Sequence, residues 1–94
     1  MPRLRKQLPA HNGSGELRCR SFQGAVDYEI LGDPSSLRLG PLRLRGSFNA
    51  APDVAAECFR DGEGDLTIAT GEKFRITMLG HTEGSVTTYF EMRV

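Results

Sequence analysis

Leu37-Arg38-Leu39-Gly40-Pro41-Leu42-Arg43-Leu44-Arg45-Gly46 is the stretch that decides the fold. Leucine and arginine alternate, break at Gly-Pro, and alternate again. A period of two is the mark of a strand with one dry face and one wet face. Two arrangements accommodate the break. A hairpin turning at Gly40-Pro41 would set Arg38 against Arg43, which is repulsive. One strand with a bulge at Gly40-Pro41 resets the parity, so Leu37, Leu39, Leu42 and Leu44 all face inward. The bulged strand is favoured, at an edge or a bend, because Pro41 has no amide hydrogen for a ladder.

The hydrophobic alternation extends to both sides. Glu16 to Phe22 and Ala25 to Leu31 flank Gln23-Gly24, a two-residue turn with glycine where positive φ is wanted. Pairing Phe22 with Ala25 predicts Arg20 opposite Asp27 and Arg18 opposite Glu29 on the wet face. Cys19 then faces Tyr28 and Leu17 faces Ile30 on the dry face. The last third reads as a meander of Gly64 to Ala69, Phe74 to Leu79 and Ser85 to Arg93. Across its second loop, Met78 is expected to face Val86, Ile76 to face Thr88 and Phe74 to face Phe90. Arg75, Thr77, Thr87, Tyr89, Glu91 and Arg93 take the wet face.

One segment carries helix signals. Pro52 stands near a first helical position, Asp53 in the first turn, Arg60 in the last and Gly62 just beyond. Val54, Ala55, Cys58 and Phe59 fall on one face. A short helix over 52–60 is predicted, with a strand as the rival. The expected fold is mainly β: a small antiparallel rolled sheet or partly closed barrel of six to seven strands, the helix plugging one end. Residues 1–14, with Arg3, Arg5 and Lys6, are expected to be a flexible basic tail, and 15–94 a single domain.

The chain has 94 residues, 38% hydrophobic and without Trp, so a thin core must draw on its five Phe. Formal net charge is zero, but residues 1–47 hold eight Lys/Arg against four Asp/Glu, and residues 48–94 the reverse. The halves can neutralise each other internally, and neutrality gives little long-range attraction to nucleic acid or anionic membrane. Ten of the twelve basic residues are Arg, as codon bias in a GC-rich genome produces. No apolar run has the length of a membrane span and no apolar segment follows the basic start. Cys19 and Cys58 lack a CxxC pairing and are expected to be unbridged buried thiols in a reduced, cytoplasmic, bacterial protein.

Candidate chemistry is sparse. Asp61, Glu63 and Asp65 alternate with glycines as a calcium loop does, but the further acidic ligand of that motif is missing. A solvated turn accounts for the same residues. His81, beside Glu83 and Ser85, sits among loop neighbours rather than convergent groups, and is read as an exposed loop histidine. Asn12-Gly13-Ser14-Gly15 lacks the Lys-Ser/Thr ending and following helix of a phosphate loop, and reads as a flexible joint.

Arg38, Arg43 and Arg45 have no local acidic partner in this reading and share one wet face. They are the candidate binding residues. The leading expectation is a non-enzymatic interaction module that docks a protein partner or its own copy through this Arg-rich strand or a sheet edge. Anion or nucleic-acid binding through the same arginines is the alternative, and a small-ligand carrier a further one. No cofactor or metal is implied, and no pair of titratable groups gives a reason to expect an enzyme.

Overall fold

A computed structural model describes residues 10–32, 34, 37 and 43–93. Six strands and one helix follow in the order β1 (Ala10–Cys19), β2 (Gln23–Leu31), β3 (Leu44–Asn49), α1 (Pro52–Asp61), β4 (Glu63–Thr67), β5 (Lys73–His81) and β6 (Thr87–Arg93). The strands close into an antiparallel barrel in the order β1-β2-β3-β6-β5-β4. Two three-stranded meanders, β1-β2-β3 and β4-β5-β6, therefore meet along two antiparallel seams, β3–β6 and β1–β4.

Alternation builds the core. Val26, Tyr28 and Ile30 of β2, Phe74, Ile76 and Met78 of β5, and Thr88, Phe90 and Met92 of β6 all point inward. Leu17 and Cys19 of β1, Phe48 of β3 and Leu66 of β4 complete the filling, and Leu37 joins the same cluster. Phe48 and Phe90 stack with ring centroids 6.2 Å apart across the β3–β6 seam. Burying each such ring contributes about 1.5–3 kcal/mol.

The helix forms where its end signals stand. Pro52 occupies the first turn, and Gly62 ends the helix at φ 86°, its N–H donating to the carbonyls of Cys58 and Phe59. Ala55 and Cys58 are buried and Val54 and Phe59 half-buried, the face that the spacing predicted. Because β3 ends and β4 begins at the same barrel end, α1 crosses that mouth, packing on β4, β5 and β6. The Gly62 carbonyl accepts from the Met78 N–H at 2.8 Å, and the Thr88 hydroxyl donates to the Ala55 carbonyl at 3.4 Å.

The strand registers differ from expectation. Arg18 pairs with Gln23, and Glu29 with Asn12, so the predicted Arg18–Glu29 and Arg20–Asp27 pairs do not form. The turn is Arg20-Ser21-Phe22, closed by the Cys19 N–H on the Phe22 carbonyl at 2.7 Å. Gly24 lies inside β2 beneath the Phe22 ring rather than in the turn. The slip is even-numbered, so every inward residue stays inward. The β5–β6 register is likewise slipped: Met78 faces Phe90 and Ile76 faces Met92. Val86 is not opposite Met78, because its carbonyl accepts from Ala50 at 2.9 Å. Leu79 is an extra residue in a bulge between Met78 and Gly80.

Strand β1 starts at Ala10, so residues 10–14, read from sequence as part of the tail, belong to the barrel. Asn12 to Gly15, read as a joint, are strand too. Their glycines serve close approach: a Cβ at Gly15 would stand 2.1 Å from the Thr67 carbonyl oxygen and 3.1 Å from the Tyr28 ring. The seam β1–β4 spans only Glu16–Cys19 against Gly64–Thr67. Beyond it, the Tyr28 hydroxyl accepts from the Ala69 N–H at 2.9 Å and bridges the gap. Of the Leu/Arg stretch, Leu44 and Arg45 are in β3; residues 38–42, including the expected bulge, lie outside the described residues.

Candidate interaction surface

The outer face of β1, β2, β3, β6 and β5 is set by pairing. Asn12 lies opposite Glu29, Glu29 opposite Ser47, Ser47 opposite Tyr89, and Tyr89 opposite Gly80. These outward positions form a row across five strands, about 19 Å long at the usual strand spacing. A second row holds Ser14, Asp27, Asn49 and Thr87. The second row, with Asn12, Glu29, Ser47 and Tyr89 of the first, lines a polar groove of about 630 Å³. The Ser14 hydroxyl donates to Asp27 at 2.6 Å and the Thr87 hydroxyl to the Asn49 side-chain oxygen at 2.8 Å.

The groove runs into a less polar hollow of about 320 Å³ lined by Leu31, Arg45 and Leu79, with Glu29, Ser47 and Tyr89 shared between the two. Leu31, Leu79 and Tyr89 are 44%, 47% and 58% exposed, large apolar side chains that the barrel leaves in water. The Leu79 bulge adds an extra residue to β5 beside Tyr89. Arg45, opposite Leu31 on β3, and Glu29 have neither an ion pair nor a side-chain hydrogen bond among the described residues.

The sequence candidates divide. Arg43 is held by Glu91 at 3.0 Å, Arg45 lines the hollow, and Arg38 lies outside the described residues. The Asp61, Glu63 and Asp65 carboxylates do not converge. Asp61 accepts from the Ser21 N–H at 2.9 Å and hydroxyl at 2.7 Å. Those two bonds, led by the hydroxyl, hold its carboxyl below the usual carboxylate value. Glu63 and Asp65 both turn to Arg75, at 2.7 and 3.7 Å. Among the described residues, no three His, Cys, Asp or Glu side chains gather as ligands.

His81 is half-buried at the end of β5 rather than exposed in a loop. Its Nε2–H donates to the Ser85 carbonyl at 2.9 Å and its ring lies 6.0 Å from that of Phe59. The Ser85 hydroxyl accepts from the Thr87 N–H at 3.1 Å, so the loop residues hold their own turn. No helix among the described residues is long and apolar enough to cross a membrane. No protein-family model matches the chain, and no significant match is found among curated proteins or solved structures.

By alternation alone Tyr89 falls on a wet face, with no role attached. Its meeting with Leu31, Arg45 and Leu79 depends on the β2–β3 and β3–β6 pairings and on the bulge. Large exposed apolar residues on otherwise polar faces were the available signal.

Proposed function

We propose that this chain is a non-enzymatic interaction module that docks a second copy of itself through the outer face of β2, β3, β6 and β5. The observation that carries the reading is that Arg45 and Glu29, neither with a partner among the described residues, lie on one face beside the exposed Tyr89. A two-fold axis through such a patch sets Arg45 of each copy against Glu29 of the other, twice. Leu31, Leu79 and Tyr89 supply the apolar centre, with Asp27, Ser47, Asn49 and Thr87 as a polar rim. Zero net charge adds no long-range repulsion between copies.

The face, rather than an edge, is the docking surface in this reading, since barrel closure pairs the strand edges except that of β1 over residues 10–15. Phosphate binding through the arginines is the weaker reading. Arg43 is neutralised by Glu91, and Asp27 and Glu29 share the face around Arg45. A carrier role has little room, because Phe48, Phe74, Phe90 and Met92 fill the interior. Two free cysteines fit a reducing, cytoplasmic setting.

Sedimentation velocity over a concentration series tests the proposal. The unmodified chain should form dimers. Arg45→Glu should abolish them, and adding Glu29→Arg to Arg45→Glu should restore them. A strict monomer at the highest concentration, or a dimer indifferent to both Arg45→Glu and Tyr89→Ala, overturns the reading.

A further inference from the structure

A closed barrel is convex outside, yet four neighbouring strands here leave a groove of about 630 Å³. Gly13, Ser14 and Ser47 put little bulk into it, whereas Tyr89, on the strand farthest from β1, stands 58% exposed. From Asn12 on β1 to Tyr89 on β6 is three strand spacings, about 14 Å. The volume lies within the ~300–1,000 Å³ of sites for small organic ligands, and the length suits a short chain of rings better than one ring.

The lining narrows the ligand class. Asp27 and Glu29 are its only charged residues, and with no Lys or Arg beside them they repel phosphate, nucleic acid and acidic peptides. Apart from Gly13, every other lining side chain ends in a hydroxyl or an amide, so an acyl chain or an apolar peptide finds no aliphatic wall. Among the described residues no cluster of ligands gathers for a metal ion. An organic cation meets Arg45 in the adjoining hollow, which also holds Glu29. A neutral molecule covered in hydroxyls is what remains.

We propose that the groove binds a neutral oligosaccharide. Carboxylates and side-chain amides are planar groups that engage neighbouring hydroxyls in pairs, and the bonds to a carboxylate are charge-assisted. Two of these groups are held in place beforehand. The Ser14 hydroxyl donates to Asp27 Oδ1 at 2.6 Å, and the Thr87 hydroxyl donates to Asn49 Oδ1 at 2.8 Å. Among the described residues, that leaves Asp27 Oδ2 as an acceptor and the Asn49 amide N–H groups as donors facing the groove. Groups fixed in advance lose little freedom on binding. The Tyr89 ring offers an apolar surface to the C–H face of a pyranose.

This inference stands apart from self-docking. Asn12 and Ser14 belong to β1, outside the docking face, and Arg45 does not line the groove. Glu29, Ser47 and Tyr89 serve both surfaces, so a sugar and a second copy compete for them.

The isotope-labelled full chain is titrated with maltotriose, cellotriose and triacetylchitotriose, and with spermidine as a cationic comparison, while amide signals are followed by NMR. At least one trisaccharide should move the amides of Asn12, Ser14, Asp27 and Tyr89 to saturation. Asp27→Asn and Tyr89→Ala should each weaken that binding about tenfold or more. Both residues are exposed, and a dispersed amide spectrum checks each fold; if Tyr89→Ala fails to fold, Asp27→Asn decides. Arg45→Glu should bind at least as well as the unmodified chain. Absence of shifts with all three sugars, shifts confined to other faces, binding indifferent to Asp27→Asn, or saturation by spermidine alone each overturns the proposal. Dimers without sugar binding sink this inference only, and sugar binding by a strict monomer sinks self-docking only.

Discussion

At the scale of single residues, Tyr28 and the glycines beneath it explain how six strands close with one short seam. A bulky side chain at position 13 or 15 would collide with the ring or with the backbone of β4. Glycine at both places lets Tyr28 cross β1 and reach the Ala69 N–H. Tyr28→Phe keeps the ring and removes the acceptor. Leaving that part-buried N–H unsatisfied should cost about 1–3 kcal/mol in urea unfolding and speed amide exchange at Ala69. Gly15→Ala should cost at least as much, about 1–3 kcal/mol or more, because the new methyl meets a carbonyl oxygen of β4 that has no rotamer to change. An unchanged denaturation midpoint for either variant would contradict this account of the closure. The sequence shows the alternating glycines, but their use depends on a tyrosine in the next strand and a carbonyl some fifty positions on.

Among the elements, α1 was legible and the first hairpin was not, and the difference is one of range. Pro52, Asp53, Arg60 and Gly62 act on backbone groups within a turn of themselves, so local chemistry sets the ends of the helix. The β1–β2 turn is fixed instead by Asp61, which binds Ser21 from forty residues away. Gln23-Gly24 offers a good turn locally, and the distant carboxylate, with Phe22 packing over Gly24, outweighs it. Dry faces were nonetheless assigned correctly on β2, β5 and β6, since slips of even number preserve them. The same argument covers the interaction surface. Arg45 was visible as a lone charge on a strand, whereas its neighbours Tyr89 and Leu79 reach it only through pairings between distant strands.

The anchoring of this turn also carries a pH dependence. The Asp61 carboxyl is held below its unfolded value of 3.8 by the Ser21 bonds. A depressed carboxyl stabilises the fold above that value and loses the contribution below it, as pH falls through the lower pKa of the folded state. Ser21→Ala should therefore raise the Asp61 titration midpoint followed by NMR. The same change should flatten the acid limb of a plot of Tm against pH. A midpoint that stays put would mean that the turn is held by other contacts.

On the scale of the whole molecule, the charge division seen in the sequence follows the architecture. The basic half covers β1, β2 and most of β3; the acidic half covers α1 and the second meander. Arg43 and Glu91 meet across the β3–β6 seam, and Arg18 stands opposite Asp65 across the β1–β4 seam. Ions in this arrangement favour one meander against the other more than either alone. Both seams join residues far apart in sequence, so folding should be slow for a chain of this size, on the millisecond-to-second scale of non-local β topologies. Stopped-flow refolding checks this, and a microsecond phase accounting for the full amplitude would contradict it.

Neither meander can satisfy its own two outer strands, and α1 is the sole covalent link between them. Viewed so, the protein is a heterodimer whose subunits happen to be tethered. That leash, residues 50–62, keeps each half at a high effective concentration for the other. Cutting that leash would make barrel stability a matter of mass action, and would let halves from different molecules exchange.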